Sequence, residues 1–157
     1  MKKILSLAFL ALFFCKVYAE EALVRVKAKI LTPLKLEVIQ NINFGDIFKG
    51  GKNFIAKDTG ELKVSGNGRV RLLWKDSLKE DYQPLDNELS IIMSDNKGNS
   101  FTALVSPNKI ESLNDFVVNE NSDKIVKING KIEKLNKSLP EGDYSGTILI
   151  RAEYISN

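Results

Sequence analysis

Near its end the chain alternates: after the turn Gly142-Asp143-Tyr144-Ser145-Gly146, the residues Ile148, Ile150, Ala152 and Tyr154 are apolar, with Arg151 and Glu153 between them. A period of two sends successive side chains to opposite faces, so residues 144–154 are predicted to form a strand with one buried face. Such a strand needs partners along its edges and a second sheet over its apolar face. Residues 22–30 repeat the pattern, with Ala22, Val24, Val26, Ala28 and Ile30 on one side and Arg25, Lys27 and Lys29 on the other. Pro33 has no amide hydrogen for a ladder and ends that run. Leu34, Leu36 and Val38 then begin a second short alternating segment.

Between these ends the pattern is that of many short strands. Ile42-Asn43-Phe44-Gly45-Asp46-Ile47 predicts one in which Phe44 anchors the core and Gly45 permits a bulge or a close backbone approach. Glycines at 60, 66 and 68 cut out three more, roughly over residues 53–57, 61–65 and 69–74. The charged stretch 75–88, with Pro84, suits a surface connection. Residues 89–93 and 101–105 predict a hairpin closed by Ser94-Asp95-Asn96-Lys97-Gly98-Asn99. Residues 116–118 and 124–135 supply further strands, and Leu139-Pro140-Glu141-Gly142 turns the chain into the last one. No heptad, no sustained helical period and no long repeat is present. The reading is an all-β chain, a two-sheet sandwich of immunoglobulin-like topology without the antibody cysteine pair.

The amino terminus changes what composition means. Lys2 and Lys3, an apolar run from Ile4 to Cys15 and the small-residue ending Val17-Tyr18-Ala19 have the order of a secretory signal peptide, with cleavage expected after Ala19. Residues 20–157 are then one exported domain. A lipid anchor on Cys15 would require a small residue before it, where Phe14 stands. The leader takes Lys2, Lys3 and Lys16 with it, so 23 basic residues become 20 against 20 acidic ones. A near-neutral chain lacks the basic excess of a nucleic-acid binder. Cys15 also leaves, and with it any disulfide or thiol nucleophile. The leader is too short to span a bilayer, and no later segment is apolar enough to do so, so no transmembrane segment is expected in the mature chain.

Catalytic signatures are absent. With no histidine in the chain, the commonest general base, zinc ligand and triad member are missing. Gly50-Gly51-Lys52 is not a phosphate loop, because Asp46 stands where glycine is needed and Asn53 where serine or threonine is. The 94–99 loop has Lys97 and Gly98 in the wrong places for calcium. Paired carboxylates of the glycosidase kind are flagged by no motif. Trp74, Tyr82, Tyr144 and Tyr154 lie in or beside β-runs, where aromatic residues serve as core or cross-strand partners before they serve as sugar platforms. The expectation is a protein that is not an enzyme and takes no cofactor or metal.

Taken together, the alternating segment 22–30, Thr32-Pro33-Leu34, Ile42-Asn43-Phe44-Gly45 and Gly142-Asp143-Tyr144-Ser145-Gly146 through Tyr154 resemble a secreted bacterial domain family of unknown function that is similar to chaperone-usher pilins. Pilins commonly place a glycine twelve residues before a tyrosine in their final strand, the spacing of Gly142 and Tyr154. The chain departs from them in having Ile155, Ser156 and Asn157 after that tyrosine, and in lacking a disulfide. The resemblance implies an incomplete sandwich completed by a strand from a periplasmic chaperone and then by the amino-terminal segment of the next subunit, after passage through an outer-membrane usher. The expectation is therefore a structural subunit of a surface fimbria, exported to the periplasm and then the cell surface. Its donor strand would be Ala22, Val24, Val26, Ala28 and Ile30; its acceptor or core strand Gly142, Tyr144, Gly146, Ile148, Ile150 and Tyr154; its core anchor Phe44 and Gly45. Its partners would be copies of itself or related subunits. The alternative is a self-complete, monomeric secreted module that binds a glycan or an envelope protein, with residues 22–30 as its own first strand.

Overall fold

A computed structural model of the chain describes residues 22–108 and 112–155, so the expected leader lies outside the described residues. The chain divides into two units, Met1–Ile30 and Leu31–Asn157. Of the first, residues 22–30 belong to no strand and are exposed throughout, Val24, Val26 and Ile30 at 82%, 91% and 95%. Alternation alone does not make a strand, because the ladder hydrogen bonds must come from a partner edge.

The second unit is all-β, with no helix among the described residues. Its strands are β1 (Lys35–Gln40), β2 (Lys52–Ile55), β3 (Gly60–Ser65), β4 (Gly68–Asp76), β5 (Gln83–Pro84), β6 (Leu89–Ser94), β7 (Ser100–Pro107), β8 (Phe116–Val118), β9 (Lys124–Lys134) and β10 (Ile148–Tyr154). They form two antiparallel sheets. The larger has the order β1-β3-β9-β7-β6, with β2 also on β9; the smaller has the order β10-β4-β5, with β8 also on β4.

The inward positions follow the period of two. Along β4 Val70, Leu72 and Trp74 are buried, and opposite them lie Leu62 and Val64 of β3, Ile91 of β6, Val105 of β7 and Val126 and Ile128 of β9. The outward positions of the larger sheet carry ion pairs, Lys63 with Glu37 at 2.7 Å and Lys127 with Glu61 at 2.9 Å. Exposed pairs of this kind add little stability but keep the outer face wet.

Several expected elements come out differently. The strand expected over residues 42–47 reduces to one bridge, Asn43 with Asp58. There the Asn43 side-chain oxygen accepts from the Gly45 amide at 2.9 Å, and Gly45 has φ of +65°. This Asx turn diverts the backbone from a ladder. Gly45 is thus an exposed turn residue and no core anchor, while Phe44 is half-buried, its ring lying over Gly130, where a Cβ would meet it at 2.8 Å. The connection 75–88 carries β5, a fully buried Leu85 and the buried carboxylate Asp76, so it is only partly a surface loop. The 89–105 hairpin is present as β6 and β7, in register from Leu89 opposite Val105 to Ser94 opposite Ser100.

Asp95 organises that hairpin's turn. Its carboxylate accepts from the Asn99 side chain at 2.8 Å and from the Asn99 and Lys97 amides at 2.8 and 2.9 Å. The Asn99 amide, with the two backbone donors, holds the carboxyl below the ordinary aspartate value. A depressed folded-state pKa contributes stability above the unfolded value that is lost as pH falls through the folded one. Exchange protection of the Lys97 and Asn99 amides should therefore fall on acidification below about pH 4, and Asp95→Asn should remove that dependence.

Candidate functional site: a groove between two sheet edges

The last alternating stretch does not stay in one sheet. Ser145 bridges to Ser94 at the β6 edge, its N–H donating to the Ser94 carbonyl at 3.0 Å and its carbonyl accepting from the Ser94 N–H at 2.9 Å. Thr147 accepts from the Ser77 amide at 2.9 Å, and from Ile148 onward the chain pairs with β4, Ile148 opposite Asp76 through Tyr154 opposite Val70. The crossing is possible because Gly146 lies against β6: a Cβ there would sit 2.7 Å from Ile91 Cγ2 and 2.8 Å from the Ile92 carbonyl oxygen. Gly146→Ala should cost about 1 to 3 kcal/mol by overpacking. Gly142 has open space around its α-carbon but a φ of +158°, so alanine there should cost through the backbone and not through packing, as parallel denaturant titrations of the two variants would show.

One seam between the sheets is therefore stitched. Besides the Ser94–Ser145 bridge, the Asp76 carboxylate at the end of β4 accepts from the Ile92 amide on β6 at 2.8 Å and from the Leu78 amide at 2.9 Å. Asp76 is 1% exposed.

The other seam is open. β1 ends the strand order of the larger sheet and β10 that of the smaller, and a groove of about 300 Å³ lies between them. Its walls are Val38, Gln40 and Ile42 on one side and Gly146, Ile148 and Ile150 on the other; Leu62 and Ile128 form the floor. Among the described residues neither edge strand has a further strand beside it, so each presents an open edge of backbone N–H and C=O groups. Val38 is 64% exposed although it sits on the inward side of β1, and Ile148 and Ile150 are half-buried. A shift of register between Val38 and Gln40 puts a bulge on the β1 edge. At the Gly146 end the groove adjoins a small apolar cavity of about 60 Å³, lined among others by Ile42, Phe44, Ile91 and Ile148.

No protein-family model and no curated protein matches the chain.

The expected acceptor residues thus separate. Gly146, Ile148 and Ile150 line the groove. Gly142 and Tyr144 lie instead at a neighbouring hollow of about 370 Å³ with Phe44, Phe101 and Asp46, where the Tyr144 ring meets Phe101 with centroids 5.2 Å apart. Burial pushes the Tyr144 phenol above its ordinary pKa. Tyr154, at the far end of β10, packs on Gly68 outside the groove lining, its hydroxyl accepting from the Asn67 amide at 3.1 Å. Trp74 is core, and Tyr82 lies under the Arg151 guanidinium, 4.1 Å from the ring centroid.

Half of the groove was missed by sequence reasoning. Val38 reads only as part of a short run after Pro33, Ile42 belongs to a separate expected strand over residues 42–47 and Gln40 is not singled out, although a strand preceded by proline signals an edge. Among the described residues, no group of three or more acidic, histidine or cysteine side chains is placed to hold a metal ion.

Proposed function

We propose that the protein is a non-enzymatic structural subunit of a surface fimbria or related surface assembly, its copies joined by β-strand donation. In this reading the body is an immunoglobulin-like, pilin-like sandwich short of one strand. Residues 22–30 of one copy fill the groove between β1 and β10 of another. Export through a cleaved leader, a periplasmic chaperone that fills the groove beforehand and an outer-membrane usher belong to the same reading.

The observation that carries it is the pairing of two incomplete features: an apolar groove flanked by two free strand edges, and a nine-residue alternating arm exposed along its whole length. Seating Val24, Val26 and Ile30 would contribute about 1.5 to 3 kcal/mol each. Ladder bonds to either edge would add about 0.5 to 1.5 kcal/mol apiece. Alternation on the arm matches what the groove needs, apolar side chains inward and Arg25, Lys27 and Lys29 left in water. Because the opposite seam, on the β6 side, is already closed by Asp76 and Ser145, a donated strand has a defined place to enter.

Amide exchange over residues 22–30 tests the proposal. A donated strand should be unprotected in dilute protein and become protected as concentration rises and copies associate. Protection at every dilution in a stable monomer would overturn it and favour the monomeric binding module. That module would draw on the Phe44, Phe101 and Tyr144 hollow, whose aromatic lining and Asn43, Asp46 and Asp143 rim suit a sugar.

A further inference from the structure

We infer that the root of the arm is built to keep each chain's arm out of its own groove, reserving the groove for a second copy. The inference rests on the strand-donation reading and concerns the partner that the groove accepts.

Self-capping is the obvious competitor, because an arm attached just before β1 is at high effective concentration beside β1's own edge. To reach it, the chain would have to reverse within residues 31–34 and run back antiparallel to β1 as a hairpin. The favoured two-residue hairpin turns need positive φ at the first central position, and type I′ at both. Pro33 is locked near −65°, and Thr32, β-branched and preceding proline, is confined to extended conformations. No glycine stands between Ala22 and Phe44, and none of residues 31–34 has positive φ. Pro33 also brings no N–H to the first rung of such a hairpin. A wider loop would begin earlier and draw Ile30 out of the groove.

The root is also tied down. The Thr32 carbonyl accepts from the Tyr154 hydroxyl at 2.5 Å, and the Thr32 hydroxyl donates to Glu120 Oε1 at 3.0 Å. Tyr154 ends β10, while Glu120 follows β8, and these two strands pair with opposite sides of β4. Thr32 is thus fixed from two sides to the end of the smaller sheet, and a reversal would break both bonds. Gly66 makes room for the clamp: a Cβ there would lie 2.7 Å from Leu34 Cδ2 and 3.0 Å from the Tyr154 hydroxyl.

The test installs the missing turn. In the double variant Thr32→Asn/Pro33→Gly, the root gains an Asn-Gly pair suited to a type I′ turn. Wild type and variant are compared by sedimentation, by exchange at residues 22–30 and by binding of a synthetic peptide of residues 22–30. The wild type should bind the peptide and associate with rising concentration. The double variant should stay monomeric over the same range, show a protected arm at every dilution and bind the peptide at least tenfold more weakly. Tyr154→Phe, which keeps the ring and loses the clamp, should move in the same direction by a few fold. A double variant that associates and binds peptide like the wild type overturns the inference and leaves strand donation standing. Peptide binding by neither protein, with no association of the wild type, overturns strand donation itself.

Discussion

Val26→Asp is expected to abolish association between copies while leaving the body's unfolding midpoint where it was. Val26 is 91% exposed and lies in the arm, so no folded core loses a side chain when it changes. Surface substitutions of that kind usually fall within about 0.5 kcal/mol. In the assembled state the same position is the centre of the five inward residues, and the substitution both forfeits about 1.5 to 3 kcal/mol of apolar burial and forces a carboxylate against Ile148, Ile150 and Leu62. Three kilocalories already correspond to more than a hundredfold in the association constant, so a loss of at least that size is expected (about 1.4 kcal/mol per factor of ten). Val26→Ile, which keeps the shape class, should associate nearly as the wild type does. Lys27→Asp, on the side left in water, should change the salt dependence more than the affinity. Sedimentation of the three variants at matched concentrations decides it: Val26→Asp associating like the wild type would remove the arm from the groove.

How much of this was legible beforehand depended on whether the signal was local. The β6–β7 hairpin could be read because two alternating runs flank a turn whose residues, Asp95 and Gly98 among them, supply their own hydrogen bonds and the positive φ of +85° at Gly98. The all-β class was equally plain from glycine punctuation at short intervals. The even positions of residues 144–154 predict one strand, yet the structure divides them between two sheets at Gly146. What divides them is a contact with Ile91 and Ile92, more than fifty residues earlier, and no local period records such a contact. Residues 42–47 failed for the opposite reason: apolar content suggested a strand, and a short-range Asn43–Gly45 hydrogen bond overrode it. The groove was half visible. Its β10 wall came from alternation, but its β1 wall needed the strand order, which places β1 at an edge.

Asp76→Ala should be strongly damaging to the body, costing about 1 to 4 kcal/mol in denaturant unfolding. Asp76 is the one charged side chain among the buried residues described, and its two oxygens are each assigned: Oδ1 accepts from Leu78, Oδ2 from Ile92. Removing an acceptor costs more than the bond it made where the orphaned donor stays out of water, at about 1 to 3 kcal/mol per group, and less where water can replace it, as at the exposed Leu78. Here two backbone donors are orphaned together, and one of them, Ile92, belongs to the sheet opposite the strand that carries Asp76. The damage should therefore appear at the seam between β4 and β6, with amide exchange of Ile92 accelerating before that of Val64 or Leu72 in the middle of the core. Asp76→Asn separates hydrogen bonding from volume. Its single oxygen can serve one of the two amides while its NH₂ confronts the other, so it should recover less than half of the loss despite filling the same space. An asparagine variant as stable as the wild type would mean that Asp76 acts by filling space alone. The stitched seam would then rest on the Ser94–Ser145 bridge, and the contrast between one closed seam and one open one, on which the direction of strand entry depends, would weaken with it.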